Sequence, residues 1–166
     1  EAGMTANSKG TASARMISRR RLISGAAIAI GGFAASAKTL FARQQQQMAE
    51  AQSKGAEALL DSAQFGAFTK MPAEVRAQDG AHFSLFGGMI LGRNVELAPN
   101  QRIVQAWRSA SWPAGVYSIA KLEMSGGVNL THVVLDHTGF PEGGFRHLNQ
   151  GWYDHYWGPL QKYLET

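Results

Sequence analysis

The residues of this chain equipped for chemistry are five histidines, a neighbouring Asp136-His137 pair and a scatter of carboxylates, with no cysteine at all. Their spacing argues against a metal. His132 and His137 are five steps apart, so on a strand they face opposite sides. His147 and His155 share a helix face but sit two turns, about 12 Å, apart. Neither pair can close on one zinc ion at ~2 Å per ligand. The lack of cysteine removes thiolate sites and disulfides, so no metal and no cofactor is expected. His137 is the one polar candidate. It borders Asp136 and the Gly139-Phe140-Pro141 loop, and is expected at a cavity mouth, where a base could act. Neighbours along a strand point apart, however, so the Asp-His pair should share no hydrogen bond. No serine or threonine sits in a nucleophile elbow and no glycine pattern marks a phosphate loop. No catalytic residue is assigned. Glu96, Glu123 and Asp136 are expected to be solvated or ion-paired.

The aromatic residues are the stronger signal. Phe83, Phe86, Trp107, Trp112, Tyr117, Phe140, Trp152, Tyr156 and Trp157 exceed what packing a domain this size requires. Aromatic side chains commonly line ligand sites. The residues expected to line a cavity are Phe83, Leu85, Trp107, Tyr117, Phe140, Trp152 and Tyr156, around a small apolar or amphipathic ligand.

The elements that must position them follow from periodicity. Phe145, Leu148, Trp152, Tyr156, Leu160 and Tyr163 recur at steps of three or four and predict a C-terminal helix of about six turns. Before it, short apolar runs separated by turn signals predict six strands, at 73–78, 82–86, 89–97, 102–109, 116–124 and 129–137. Short connections imply an antiparallel meander. Residues 38–60 are rich in helix formers. The class is α+β, with the helices on one face of the sheet.

The N-terminal region has a different character. Residues 1–37 hold five basic residues (Lys9, Arg15, Arg19, Arg20, Arg21) and one acid, leaving eleven of each sign in the remainder. The globular part is therefore neutral, and no nucleic-acid surface is expected. Ser18-Arg19-Arg20-Arg21-Leu22-Ile23 precedes an Ala/Gly-rich apolar run of about 16 residues, short of the ~20 that span a bilayer, and then Ala35-Ser36-Ala37. Paired arginines, a short apolar run and a small-x-small site predict a twin-arginine export signal. The expected machinery contacts are Arg19 and Arg20, with cleavage after Ala37, a periplasmic or secreted destination, and only transient membrane contact through the leader. The expected organisation is a disordered leader and signal over 1–37, a helical or irregular linker over 38–54 and a domain over 55–166. Asn129-Leu130-Thr131 matches a glycosylation sequon, irrelevant to a protein exported by this bacterial route.

Phe83-Ser84-Leu85-Phe86-Gly87-Gly88, Gly92-Arg93-Asn94-Val95-Glu96-Leu97, Gln101 to Arg108, Asp136-His137-Thr138-Gly139-Phe140-Pro141 and Gly151-Trp152…Tyr156-Trp157…Pro159-Leu160 together resemble the START-like (SRPBCC) superfamily. They are most similar to the branch of the C-terminal domain of the activator of the heat-shock protein 90 ATPase. The likeness covers about residues 56–164. It implies a helix-grip fold, a curved antiparallel sheet around a long C-terminal helix with a cavity between them. It also implies two alternatives to ligand carriage: a chaperone-interacting module, or a cyclase- or dehydratase-like enzyme using the same cavity. The family's first strand should fall near residues 39–46, where Thr39 to Gln44 alternate poorly. Its loss would leave an open sheet edge and room for a homodimer.

Overall fold

The computed structural model describes residues 14–23, 36–127 and 130–165. Six strands, β1 (Ala14–Ile23), β2 (His82–Leu85), β3 (Ile90–Ala98), β4 (Arg102–Ser109), β5 (Ser118–Gly127) and β6 (Leu130–Phe140), form one antiparallel sheet in the order β1-β6-β5-β4-β3-β2. Helices α1 (Ala37–Leu60) and α2 (Ser62–Thr69) and a C-terminal helical segment from Phe145 to Leu164 complete the α+β helix-grip. Alternation along the strands sets the buried face: Ile103, Gln105 and Trp107 on β4, Ser118, Ala120, Leu122 and Met124 on β5, Thr131, Val133, Leu135 and His137 on β6. Period-two burial of this kind puts the core on one side of the sheet. Gly92 on β3 permits a close approach that no side chain would: a Cβ there would lie 2.3 Å from the Ala106 carbonyl oxygen and from Phe83 Cζ. Among the described residues no helix is long and apolar enough to cross a membrane.

Several expectations are corrected. Residues 73–78 form no strand; they contribute a single bridge, Glu74 to Ser84. The carbonyls of Arg76 and Gln78 instead accept from the buried Asn94 side chain, Nδ2 lying 2.8 and 3.2 Å away. The family's first strand does not lie near 39–46, which belongs to α1. Ser36 caps that helix, its Oγ accepting from the Thr39 amide, and good helix formers follow. The strand is supplied by residues 14–23, which pair with β6 from Ala14–Phe140 to Ile23–Leu130. This part of the expected leader and signal is thus a strand of the sheet, with Met16 and Leu22 buried, and it covers the edge of β6 that loss of the family's strand would have left open. The expected boundary at 54/55 falls inside α1. Residues 1–13, the apolar run over 24–35 and the sequon's Asn129 lie outside the described residues.

The expected C-terminal helix is present, with one irregularity. It comprises α3 (Phe145–Gly151), a π-helical turn over Trp152–Trp157, and α4 (Gly158–Leu164). Pro159 has no N–H to give the His155 carbonyl, and the Gly158 amide reaches back five residues to Tyr153. The wider turn brings Trp152 and Trp157, five apart, onto the buried side with rings stacked at 5.4 Å and 19°. Such bulges recur at functional sites.

Candidate functional site

His137 has no exposed surface and lies inside the sheet–helix layer rather than at a mouth. Its two ring nitrogens are both engaged. Trp152 Nε1–H donates to Nδ1 at 3.1 Å. An indole nitrogen can only donate, so Nδ1 is the acceptor and the proton of the neutral ring is on Nε2. That N–H donates to Ser118 Oγ at 2.7 Å, and the hydroxyl passes its own proton to the Trp107 carbonyl at 2.9 Å. Burial pushes the imidazole down to about 4, with Asp136 opposing weakly. Asp136 itself faces outward and pairs with Arg15, Nε to Oδ1 2.8 Å, so the two neighbours share no hydrogen bond. The rings of Trp107, Phe140 and Trp152 surround the imidazole at 5.1, 5.4 and 5.9 Å. His137 is a tie between sheet and helix with no free lone pair for a substrate proton.

Deep between sheet and helix, among Leu59, Phe65, Leu85, Ile103, Leu122 and Tyr156, a void of only about 10 Å³ remains. The open volume is further along the same aromatic layer. A cleft of about 390 Å³ lies between the first turns of the C-terminal helix and the β2–β3 and β4–β5 connections, with Phe86, Met89, Trp107, Trp112, Trp152 and Tyr156 among its walls. Trp107 meets Trp112 edge-on at 5.4 Å and stacks against Trp152 at 6.1 Å. Irregular backbone forms both walls. Phe86 holds φ at 54°, a left-handed conformation costly for a bulky residue, and its ring is fixed by Phe65 and Tyr156 at 5.3 and 5.1 Å. The π-helical turn supplies Trp152, Asp154, His155 and Tyr156 opposite. The lining includes one carboxylate, Asp154, two imidazoles, His147 and His155, and no lysine or arginine. Both Asp154 oxygens accept from Gln150 Nε2, at 2.9 and 2.8 Å. Burial pushes the Tyr156 phenol well above its ordinary range, with the facing Trp107 indole N–H opposing. The two groups stop short of hydrogen-bond geometry, which leaves two enclosed donors unsatisfied.

Of the residues expected to line a cavity, Trp107, Trp152 and Tyr156 meet in the cleft. Leu85 and Phe140 are buried in the core behind it, and Phe83 is pressed onto Gly92. Tyr117 is elsewhere: half its surface is exposed, in a shallow depression shared with Phe83 and Leu91, with the Arg108 guanidinium 5.7 Å from its ring. Phe86, Met89 and Ile90 were missing from the expected lining. The signal for them was Gly87-Gly88, which turns the chain back and points the residues on either side into one space. Among the described residues no three His, Cys, Asp or Glu side chains gather as a metal site.

The family described as "Activator of Hsp90 ATPase homolog 1-like protein" matches residues 57–165. An activator of 90 kDa heat shock protein ATPase homolog from Dictyostelium discoideum is 39% identical over 87 residues, 52% of this chain and 23% of that protein. Homolog 1 from Homo sapiens is 31% identical over 96 residues, 58% of this chain and 28% of that protein. The chain thus spans about a quarter of the length of these relatives. A crystal structure of an HSP90 activator from Plasmodium falciparum superposes with a TM-score of 0.61 at 27% identity, covering 65% of this chain and 84% of that one. The solution structure of the Aha1 dimer from Colwellia psychrerythraea superposes at 0.64 with 14% identity, covering 91% and 96%, a likeness of fold.

Proposed function

The chain belongs to the Activator of Hsp90 ATPase homolog 1-like family, and from that premise we propose that it is a non-catalytic binding module. Its ligand is a small neutral or cationic molecule with an apolar body, and its site is the cleft beside the π-helical turn rather than the filled space behind it. The observation that carries this reading is the convergence of Trp107, Trp112 and Trp152 on about 390 Å³ of open space, within the range of small-molecule pockets. Affinity would come from burying apolar ligand surface at about 25 cal/mol per Å², less the cost of ordering the ligand. With the imidazoles of His147 and His155 neutral, Asp154 is the one charge in the lining and disfavours anions. His137, with both nitrogens engaged, lacks the free lone pair that a cavity enzyme would require of it.

The test is titration of the full chain with the neutral fluorophore N-phenyl-1-naphthylamine, followed by probe and tryptophan emission. Saturable one-to-one binding is expected. Ser109→Trp, which places an indole in the cleft, should weaken it at least tenfold. A folded chain that gives no saturable signal refutes the reading.

A second reading takes its support from the 31% and 39% identity to heat-shock ATPase activators. Here the cleft seats an apolar side chain of that chaperone. Added full chain should raise the chaperone's ATPase rate, and Ser109→Trp should cancel the rise; an unchanged rate with no detectable complex removes this alternative.

A further inference from the structure

β1 is an edge strand of the sheet, and it carries the arginine motif that the cleft does not use. Its inward row is Met16, Ser18, Arg20 and Leu22, set against His137, Leu135, Val133 and Thr131 of β6. Met16 and Leu22 are buried and anchor the two ends. Between them the row is polar. The Arg20 guanidinium leans over the Tyr153 ring at 4.9 Å, and its Nε is enclosed with no hydrogen-bond partner. Among the described residues no carboxylate forms an ion pair with Arg20. Thr131 Oγ1, on the strand position opposite Leu22, is also enclosed and unpartnered. By contrast the matching places on β5 are Ala120, Leu122 and Met124, all buried. The outward row holds Arg15, tied to Asp136, and the exposed Arg19 and Arg21.

Arg19 and Arg20 therefore point to opposite faces of the sheet, one to solvent and one under the C-terminal helix. No receptor can read both while β1 is paired. We propose that β1 is a detachable docking strand. By leaving β6 it offers Ser18-Arg19-Arg20-Arg21 as an extended chain to an outside partner whose acidic groove pairs with neighbouring guanidinium groups, and by returning it closes the sheet. Edge strands are the natural place for such exchange, and an enclosed guanidinium N–H without a hydrogen-bond partner favours departure. Cleavage after Ala37, as at an export site, would remove β1 altogether and leave β6 as an open edge. The inference does not rest on the cleft.

Hydrogen exchange of the intact chain tests it. The β1 amides that bond to β6 should exchange at least ~100-fold faster than the central amides of β4 and β5, through opening that costs less than global unfolding. Arg20→Leu puts an apolar side chain on the inner row and should slow β1 exchange about tenfold, equivalent to about 1.4 kcal/mol. Trypsin, which binds arginine in an extended chain, gives a second measurement. Initial cuts after Arg19 or Arg21 should track β1 opening and depend little on denaturant. Two results overturn the proposal. One is exchange of the β6-bonded β1 amides, and cutting, at the rate and denaturant dependence of β4 and β5. The other is an Arg20→Leu chain whose β1 exchanges as fast as before.

Discussion

Two regions share Trp107 and Trp152 and use them in opposite ways. On the His137 side, every polar atom of the imidazole and of Ser118 has a partner. On the Trp112 side, the same two indoles border open space, and the Trp107 Nε1 and the nearby Tyr156 hydroxyl have no hydrogen-bond partner. Satisfied polar groups in a filled interior mark a region that holds the fold. Unsatisfied donors beside an open aromatic wall mark one available to something else. One aromatic layer thus serves as core at one end and as a candidate site at the other.

The sharpest way to break this contrast is His137→Ala. It strands the Trp152 indole N–H and the Ser118 hydroxyl in an enclosed space and leaves a cavity, so a loss of about 3–4 kcal/mol is expected. Urea unfolding measures it. Probe affinity of the folded fraction should change by less than about threefold. A loss below ~1 kcal/mol, or a collapse of probe binding at unchanged stability, would move His137 from the tie to the site.

Titration sharpens the same contrast at smaller cost. The folded-state His137 value of about 4 lies below the ~6.5 of an unfolded histidine. Between these values the unfolded chain binds more protons, so stability is complete above about pH 6.5, falls as pH drops through the window and loses nothing further below about 4. Near pH 5 the loss is about 2 kcal/mol. The difference between wild type and His137→Gln across that window isolates it. Parallel pH curves for the two proteins would mean that the imidazole is not the titrating group.

At the open end, Trp112→Ala should have the opposite profile. Trp112 is only partly buried, so about 1 kcal/mol of stability is expected to go, while probe affinity falls about tenfold. Equal losses in both assays would make Trp112 another core residue.

How much of this was legible in the sequence follows the same division. Regular burial was readable because it repeats: the meander from His82 to Phe140 and the aromatic stripe of the C-terminal segment both declared themselves by period. What failed to show were features set by one residue's bond to a distant one. Asn94 pulls 73–78 out of the sheet, and Pro159 widens the helix by one residue where the stripe had looked continuous. The arginine segment was read for its signal character; its alternate residues Met16 and Leu22 also fit a strand with one buried face. His137 was located next to the right loop but assigned to the wrong depth, because depth depends on Trp152 crossing over it.

Tyr117 gives the smallest and most discriminating test. Composition grouped it with Trp107 and Trp152, yet it precedes β5 by one residue, so its side chain falls on the opposite side from Ser118, which is buried beside His137. Its ring is half exposed and meets Arg108, a contact worth roughly 0.5–1 kcal/mol in an exposed setting. Tyr117→Ala should therefore cost no more than about that in stability and shift probe affinity by less than about twofold. If it weakened binding as strongly as Trp112→Ala, the ligand would have to extend from the cleft across the β4–β5 connection, and the site would be larger than the space bounded by the three tryptophans.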